Sequence, residues 1–511
     1  MRKNLKIYGY CNRGYDGQTI GIECDVRNGF PGFDIIGLPD KAVTESKDRV
    51  KTALRNSGFK FPQSRVLVSL SPASVPKTGS LLDLGIALSV LFACGKEADN
   101  SKSERKTVKI MVAGELALDG NVIQNSSALG AIQASEKLGC NLCIVPFPIQ
   151  GKPGVAEAVN LTSAFLHCGE YLNSSDEPVI IGKFQESKQS IFEDVIGMNR
   201  EKEILSMAAS GFHSMLIFGP PGVGKTMLSG KIGKLLPYLS EKETEEITRI
   251  YGCAGLEITN PECPVSRIVS HDCSPIQFTG GSNSKSPGIG ALCHSGVLVL
   301  DEITKYSPSL LESVKETYDK GITASSRSGE EITYPARFLM IANLNPCSCG
   351  GLGSHSTVCT CTSQKINNHW KRLGRPLVER FDIRLPVPEY DMSKLMETEN
   401  LPDSYYLEKI RISADRQRIR YKKIENINFN GEIHFVPATL DILKKETEMY
   451  GKIRSNANNP ANARELISIV ALARTIADYS NRDEVTEEDF SKAEKLRKYG
   501  NGDFYWKVMN M

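Results

Sequence analysis

The eight residues GPPGVGKT, at positions 219–226, constrain the possible folds of this 511-residue chain more than any other stretch of its sequence. They fit the pattern G-x-x-x-x-G-K-[ST], the apolar run Met215–Phe218 precedes them, and a helical pattern follows. In that context the glycines allow backbone N–H groups to approach phosphate groups, and the start of the helix adds positive potential. The stretch therefore predicts a strand, a phosphate-binding loop and a helix, as found in an α/β fold with a parallel sheet.

Each residue of this phosphate loop has a predicted role. Lys225 would reach the terminal phosphates of a nucleotide, and the hydroxyl of Thr226 would ligate Mg²⁺. Backbone contacts to the phosphates would come from the rest of the loop, which consists of Gly219, Pro220, Pro221, Gly222, Val223 and Gly224. ATP and Mg²⁺ are thus the predicted cofactors, and the alternative is a glycine-rich turn that binds no ligand.

Two carboxylates follow a second apolar run, in the stretch GVLVLDEI. An uninterrupted apolar run is typical of a central parallel strand, and ligands bind beyond the carboxyl ends of such strands. Asp301 would hold the hydration shell of Mg²⁺, and Glu302 would orient and polarise the attacking water. An Asp-Glu pair by itself is more often a surface turn, but together with the phosphate loop it predicts a nucleotide-hydrolysing site.

A third strand, ARFLMIAN, leads to two asparagines, Asn343 and Asn345. In a nucleotide-hydrolysing core, a polar side chain that ends the strand between the other two can contact the γ-phosphate or its water. The alternative for an isolated Asn-Pro is a simple turn. We predict a sensor asparagine here, and Asn345 is favoured over Asn343.

Composition limits the class of protein. The formal net charge is +2, so any surface that binds nucleic acid would have to be local. The N-terminus lacks the apolar segment of a secretory signal, and the longest apolar stretch, LLDLGIALSVLFACG, contains Asp83 and is too short to span a bilayer. These features predict a cytoplasmic protein without a membrane association, whose 14 cysteines are thiols or metal ligands.

The chain is long enough for two or three domains. Residues 1–182 alternate strand-like and helical runs in an α+β pattern. Residues 183–395 alternate buried strands with helices, which predicts a parallel α/β sheet, and residues 396–511 are helical. The last helix would begin with Thr486 as its N-cap.

Four cysteines cluster directly behind the Asn-Leu-Asn-Pro run, in residues 347–361, which we term the cysteine segment: Cys347, Cys349, Cys359 and Cys361. Four thiolates so close in sequence suit tetrahedral Zn²⁺, and the glycine-rich connection between the two pairs can fold back. The more familiar C-x₂-C spacing is absent, so reduced thiols without a metal are the alternative to a structural zinc knuckle. His355, inside the connection, is an additional candidate ligand.

Five segments occur in an order that resembles one known family: GPPGVGKT, VLVLDE, NLNPCSCG, LVERFDIRLPVP and NARELISIVALARTIADY. Together they resemble the ComM/YifB family of magnesium-chelatase-like AAA+ ATPases over almost the whole chain. The resemblance implies an AAA+ P-loop core, a helical lid and a homohexameric ATPase that acts on DNA. ComM members of the family are branch-migration helicases that help to integrate DNA taken up in natural transformation.

The resemblance also implies roles for two arginines. Arg380, in LVERFD, resembles the arginine finger that completes the neighbouring subunit's site, and Arg464, in NARE, resembles the sensor-two arginine of the lid. Such a finger stabilises the charge that develops on the transferred phosphoryl group. The family's NPCPCG segment and following C-x-C support the zinc knuckle, although Ser348 stands here in place of proline.

Two further segments resemble pore insertions of this AAA+ clade. GITASSRSGEEITYPARF predicts a β-hairpin with a turn at Ser328-Gly329, and Arg327 at its tip could track a phosphate backbone. A Glu-Glu pair follows the turn, so a subunit contact is the alternative to a DNA contact. The same alternatives apply to the glycine-rich stretch FTGGSNSKSPGIG, which contains Lys285.

The front part of the chain, residues 1–182, resembles a Lon-protease-type domain through SLSPASVPKTGSLLDLGIALSVL and VAGELALDGNVIQNSSALGAIQASEKLGCNLCIVP. Such proteases need a serine nucleophile and a lysine base, and these positions fall on Leu81 and Leu129. Ser80 and Lys77 are close in sequence but do not rebuild the dyad. The prediction is a domain without proteolytic activity that serves in assembly or DNA handling.

The combined prediction is a homohexameric, ATP- and Mg²⁺-dependent motor that acts on single-stranded or branched DNA. One alternative is a chelatase-type subunit that uses ATP to insert a metal into a cofactor, although no second metal-binding domain follows the lid. The other is a remodeller or chaperone of a protein partner, including a protease-associated assembly. DNA-dependent ATPase activity would distinguish the motor from both.

Overall fold

The computed structural model describes residues 4–94, 107–147, 154–173, 191–281, 286–327, 330–391, 400–421, 443–456 and 463–498. Positions 13, 16, 257 and 259 are excepted, and between 392 and 399 only positions 393, 395 and 398 are described. The predicted polar linker after residue 173, the Ser328-Gly329 turn and Lys285 lie outside the described residues.

The chain forms two compact units. Unit 1 comprises Met1–Ser187 and Thr248–Ile258, and unit 2 comprises Lys188–Ile247 and Thr259–Met511. Unit 2 therefore contains both the predicted ATPase core and the predicted lid. One apolar core joins these two parts, because it includes Ile217 and Ile341 from strands and Leu472 from the C-terminal helices. The division at residues 182 and 395 stays a prediction.

Unit 1 is built on a mixed sheet with helices packed against it. Its strands are β1 (Asn4–Cys11), β2 (Gln18–Arg27), β3 (Gly32–Ile36), β4 (Arg65–Ser71), β5 (Thr107–Val112), β6 (Glu115–Leu116), β7 (Val122–Ile123), β8 (Leu142–Val145) and β9 (Val155–Glu157). Its helices are α1 (Lys41–Asn56), α2 (Asp83–Cys94), α3 (Gly130–Leu138) and α4 (Leu161–Asn173). Seven strands lie in the order β3-β4-β2-β1-β5-β8-β9, and β6 pairs with β7.

Unit 2 is centred on a parallel sheet, as predicted. The strands of unit 2 are β10 (Met215–Phe218), β11 (Ser266–Ile268), β12 (Val297–Leu300), β13 (Ile322–Arg327), β14 (Glu330–Pro335), β15 (Leu339–Leu344) and β16 (Ile383–Pro386). Five of them pair in parallel in the order β11-β12-β15-β10-β16. Every residue of β10, β12, β15 and β16 is buried, as expected for parallel strands covered on both faces. The carboxyl ends of β10, β15 and β12 consequently lie side by side.

Helices pack against this sheet and form the C-terminal part of the chain, and one of them continues from unit 2 into the Thr248–Ile258 segment of unit 1. They are α5 (Asn199–Gly211), α6 (Lys225–Leu235), α7 (Glu241–Cys253), α8 (Pro275–Thr279), α9 (Ile289–Leu292), α10 (Pro308–Lys320), α11 (Ser363–Lys371), α12 (Arg375–Val378), α13 (Asp403–Tyr421), α14 (Lys444–Asn456), α15 (Ala463–Tyr479) and α16 (Glu487–Lys498). Helix α16 begins directly after Thr486, as predicted. In the described part of the chain, no helix combines the length and apolar character needed to cross a membrane.

The predicted hairpin is confirmed as the antiparallel pair β13 and β14. Its register runs from Ile322 opposite Pro335 to Arg327 opposite Glu330. The hairpin follows α10 through Gly321, whose φ of 65° lies in the left-handed region that glycine adopts without strain. Because β14 leads on to β15, the hairpin connects α10 to the strand that carries the two asparagines.

Candidate nucleotide-binding site

The phosphate loop lies between β10 and α6, where the sequence predicts it. Gly224, directly before α6, has a φ of 89°, a conformation that residues with a Cβ rarely adopt. At Gly219 an added Cβ would lie 2.1 Å from the carbonyl oxygen of Val387, just beyond β16. The loop therefore needs glycine at both positions, for the backbone angle at one and for the close approach at the other.

Lys225 is the first residue of α6 and is buried. Its ammonium donates hydrogen bonds to the carbonyl oxygens of Gly219 at 2.8 Å and Pro220 at 2.6 Å. Burial lowers the pKa of Lys225 to about 8, and the charges of Asp301 and Glu302 oppose that change. A bound phosphate would favour the charged form further. The ammonium thus lies across the loop, within reach of an anion held there.

Two side chains of the site donate hydrogen bonds to the carboxylate of Asp301, which directly follows β12. The hydroxyl of Thr226 donates to its Oδ1 at 3.2 Å, and the side-chain amide of Asn343 donates to the same oxygen at 3.0 Å. Asn343 also donates to the hydroxyl of Ser229 at 2.9 Å. Three neighbouring strands and the first turn of α6 therefore bring these four side chains together.

Thr226 and Asp301 fit a shared Mg²⁺ ion. Mg²⁺ prefers oxygen ligands in an octahedron at about 2.1 Å, so adjacent ligands lie about 3 Å apart. The Thr226 hydroxyl and the nearer Asp301 oxygen are 3.2 Å apart. The two predicted residues could therefore hold the ion together with phosphate oxygens and water.

Glu302, the next residue, has an unusual backbone. Its φ of 47° lies in the left-handed region, which is uncommon for residues other than glycine and occurs often at functional sites. Its carboxylate pairs with Lys305, in the 3₁₀ turn that follows, and remains partly exposed. A carboxylate in this position is accessible to a water molecule and can polarise it.

The two candidate sensor asparagines differ in their contacts. Asn343 is 1% exposed, and its side-chain oxygen has no hydrogen-bond partner among the described residues. Asn345 lies beyond the end of β15, and its backbone carbonyl oxygen lies 2.9 Å from Nε2 of His369. The structure thus brings the side chain of Asn343 to Asp301. The preference for Asn345 stays a prediction, and Asn343 becomes an equally specific candidate.

Arg380 and Arg464 meet at one carboxylate. Nε of Arg380 donates to Oδ1 of Asp319 at 2.9 Å, and its Nη2 donates to Oδ2. Nη2 of Arg464 donates to Oδ1 of Asp319 at 2.5 Å. Arg380 is buried, whereas the side chain of Arg464 is 43% exposed. Asp319 is thus the common partner of the two arginines to which the resemblance gives roles in hydrolysis.

The four sulfur atoms of the cysteine segment lie within 4.8 Å of one another. The Sγ–Sγ distances are 3.4 Å for Cys347–Cys349, 3.7 Å for Cys347–Cys359 and 3.6 Å for Cys349–Cys359. In a tetrahedral zinc site with Zn–S bonds of about 2.3 Å, the sulfurs lie about 3.8 Å apart. The cluster therefore fits Zn²⁺. His355 lies outside it, and its backbone N–H donates to Glu389 at 2.6 Å.

The cysteine segment contacts the phosphate loop. An added Cβ at Gly350 would lie 3.1 Å from the ring of Pro221. Just before the segment, the carbonyl oxygen of Pro346 accepts a hydrogen bond from the indole of Trp370 at 3.0 Å. The Trp370 ring also packs edge-on against Phe218, the last residue of β10. The fold thus anchors the segment beside the nucleotide site.

In unit 1, leucines in an apolar environment occupy the two positions that align with the serine and the lysine of a protease dyad. Leu81 is buried in an apolar cluster, and Leu129 packs against the same cluster. The hydroxyl of Ser80 donates to Glu115 at 2.5 Å, and the buried ammonium of Lys77 donates to the carbonyl oxygen of Pro72. None of these contacts forms a serine–lysine pair, and the absence of proteolytic activity stays a prediction.

Two residues of the site were not anticipated from the sequence. Ser229 and Asp319 lie within helical patterns that contain several similar polar residues, so nothing in the sequence marks them. Asn343 does carry a signal, because it is the polar residue inside the otherwise apolar strand LMIANL. A polar side chain in a strand buried on both faces needs a partner, which here is Asp301.

The arrangement defines a class of protein. The phosphate loop follows β10, the acidic pair follows β12, and a polar side chain ends the strand between them. Together with the strand order β11-β12-β15-β10-β16, these features define an AAA+ P-loop ATPase core.

Comparison with known proteins identifies the family. The model for magnesium chelatase, subunit ChlI, matches residues 191–395, and a second ChlI model matches residues 22–148. YifB of Escherichia coli is 30% identical over 504 residues, which is 95% of each chain. Rv2897c of Mycobacterium tuberculosis is 31% identical over 75% of this chain and 76% of its own. The competence protein ComM of Haemophilus influenzae is 28% identical over 95% of this chain and 96% of its own. The chain belongs to the ComM/YifB family of magnesium-chelatase-like AAA+ ATPases.

Proposed function

We propose that this chain is an ATP-driven motor that acts on branched or single-stranded DNA as a cytoplasmic homohexamer, and that its activity is branch migration by a helicase. The ATPase half rests on one observation, the convergence of Thr226 and Asn343 on Asp301 beside the ammonium of Lys225. The DNA half is supported by the similarity, over almost the full length, to a competence protein. A role in integrating DNA during transformation is part of the proposal and is what the resemblance to ComM members of the family implies.

Each side chain has a defined task in the proposed reaction. Lys225 exchanges the loop carbonyls for the terminal phosphates of ATP, and Thr226 with Asp301 holds Mg²⁺. The ion neutralises charge on the phosphates when it is bound. Glu302 polarises the attacking water, Asn345 is the sensor that contacts the γ-phosphate or this water, and Asn343 holds the carboxylate of Asp301 through its side-chain amide.

The proposed hexamer depends on the role given to Arg380. An arginine finger supplied by a neighbouring subunit stabilises the transition state in trans, so each site is complete only at a subunit interface. Arg380 takes that role here, and Arg464 takes the sensor-two role of the lid. A ring then contains one site at each interface between subunits.

The hairpin of β13 and β14 is the proposed DNA contact of the motor. It is joined to α10 at one end and to β15, the strand of Asn343, at the other. A shift of β15 between nucleotide states would therefore be passed to the hairpin through the backbone. A contact with the adjacent subunit remains the alternative role of this hairpin.

We further propose that the cysteine segment holds a structural Zn²⁺ ion. The purified protein is expected to carry one Zn²⁺ per chain, because the sulfur spacing already matches a tetrahedral site. The double variant Cys349→Ser/Cys359→Ser should lose the metal, as measured by plasma mass spectrometry. Cys94→Ser, which changes an exposed cysteine outside the cluster, is the matched control. Wild-type protein that stays free of metal after purification with added zinc would contradict the proposal.

The motor proposal is tested by ATP hydrolysis in the presence of different DNAs. We expect basal Mg²⁺-dependent hydrolysis that a four-way junction stimulates strongly, and duplex DNA less, because a branched substrate gives the motor a strand to displace. The measurement is the steady-state rate of phosphate release without DNA and with single strands, duplex and junction. Lys225→Ala provides the blank.

Two outcomes would change the interpretation. Hydrolysis that is robust but equal with every DNA would exclude the DNA motor and would point to a protein partner or a chelatase-type role. Hydrolysis equal to that of Lys225→Ala would contradict the ATPase assignment itself.

A further inference from the structure

The contacts of Asp319 join three separate parts of unit 2. Asp319 is the penultimate residue of α10, Arg380 follows α12, and Arg464 is in the first turn of α15. Burial alone would raise the pKa of Asp319, but the hydrogen bonds and charges of Arg380 and Arg464 outweigh it and lower the pKa. The carboxylate is therefore charged, and it holds a core arginine and a lid arginine at the same point.

The geometry at Arg380 is suited to fixing its direction. Nε and Nη2 bind the two oxygens of Asp319 side by side, and Nη1 donates to the carbonyl oxygen of Pro376. Paired N–H bonds to a carboxylate fix the plane of a guanidinium as well as its position. The remaining N–H groups of the guanidinium then point in a defined direction.

The turn that carries Arg380 is also held by the lid. Arg497, on α16, is buried and donates to the carbonyl oxygens of Glu379 at 2.9 Å and Phe381 at 3.2 Å. The backbone on both sides of Arg380 is thus tied to the lid. Asp319 adds the contact that fixes the side chain itself.

The end of α10 is in turn tied to the sheet. Next to Asp319, the phenol oxygen of Tyr318 accepts a hydrogen bond from the hydroxyl of Ser214 at 2.9 Å. That hydroxyl accepts from the backbone N–H of Met340, in β15, at 3.1 Å. Ser214 directly precedes β10, so the last turn of α10 is linked to the strands of the phosphate loop and of Asn343. The β13–β14 hairpin begins three residues after Asp319, at Ile322.

We infer that Asp319 is a positioning residue for ATP hydrolysis, which orients Arg380 toward the phosphoryl group of the neighbouring subunit and links it to the lid through Arg464 and to the base of the hairpin. Asp319 itself does not touch the nucleotide. The inference rests on the proposed function, because it requires that Arg380 acts on ATP. Loss of the Asp319 carboxylate leaves Arg380 in place but without a fixed direction.

The test is the variant Asp319→Asn, which keeps the shape of the side chain and removes its charge. We expect kcat for ATP to fall between about 10- and 100-fold, since a misplacement of about 1 Å in a catalytic group can have that effect. KM for ATP should not change, because the phosphate loop is intact. Glu316→Gln is the matched control, since Glu316 lies one turn earlier on α10 in an exposed pair with Lys320.

A second measurement separates positioning from general destabilisation. Arg380→Ala/Asp319→Asn should hydrolyse ATP no more slowly than Arg380→Ala alone, because an absent finger cannot be misoriented further. If Asp319→Asn lowers the midpoint of thermal unfolding too far for assay, Asp319→Glu replaces it. That variant keeps the charge, displaces the carboxylate by one methylene, and should show the same fall in kcat.

The outcomes distinguish this inference from the proposed function. Wild-type kcat in Asp319→Asn, a raised KM, or additive effects in the double variant would overturn the role of Asp319. Wild-type protein that hydrolyses ATP no faster than Lys225→Ala would instead refute the ATPase proposal on which it rests.

Discussion

Replacement of Glu302 by glutamine is expected to slow ATP hydrolysis by about 10²- to 10⁴-fold, the usual contribution of a general base. Glutamine has the same size but cannot carry the negative charge that polarises water. ATP affinity should remain close to that of the wild type, because Lys225 and Thr226 supply the phosphate and Mg²⁺ contacts. The measurements are steady-state phosphate release and equilibrium titration with a fluorescent ATP analogue.

Two controls make this result specific. Glu312→Gln removes a carboxylate from an exposed ion pair on α10, so both rate and affinity should match the wild type. Lys225→Ala should lose affinity as well as rate, in contrast to Glu302→Gln. If Glu302→Gln hydrolyses ATP at the wild-type rate, the base is another residue and the assignment made from the strand end is wrong.

Replacement of Arg380 by alanine is expected to reduce hydrolysis by about 10³-fold or more, the range reported for arginine fingers. The binding of ATP to the same subunit should persist, because the finger completes the site of the neighbour. Arg380 is buried and paired with Asp319, so its removal also leaves a carboxylate with one arginine fewer. The midpoint of thermal unfolding should therefore be measured beside the rate.

A mixing experiment tests whether the arginine acts between subunits. Arg380→Ala and Lys225→Ala are each expected to be inactive alone. In a random equimolar ring about one interface in four joins an intact phosphate loop to an intact finger, so mixing should restore activity. Arg375→Ala, which removes an exposed arginine from the short helix just before Arg380, should be active without mixing. No recovery in a mixture that demonstrably forms mixed rings would mean that Arg380 does not act in trans.

Local sequence was sufficient to predict those parts of the nucleotide site whose chemistry depends on consecutive residues. The phosphate loop needs a strand, glycines at fixed positions and a helix start, and all of them lie within one short stretch. The strand Met215–Phe218 and the buried run before Asp301 were predicted for the same reason, since a parallel strand covered on both faces reads as an unbroken apolar run. The β13–β14 hairpin was also local, because its two strands are separated by only two residues in the chain.

Contacts between residues that are distant in the chain could not be predicted from local sequence. The sequence favoured Asn345 by its place at the end of a strand, whereas the register of β15 beside β12 brings Asn343 to Asp301. Register is set by the packing of the whole sheet, which a single strand does not encode. The apolar core that joins the lid to the sheet likewise depends on segments separated by more than a hundred positions in the chain.

The sequence by itself therefore determined the class of fold, the phosphate loop, the acidic pair and the cysteine spacing, because each follows from neighbours along the chain. Only the tertiary structure decided that Asn343 contacts Asp301, that the four sulfurs lie at zinc-like distances, and that Arg380 and Arg464 share Asp319. Apart from those within the cysteine segment, these contacts join residues that are far apart in sequence. Their positions are fixed by strand register and by helix packing, which depend on the whole of unit 2.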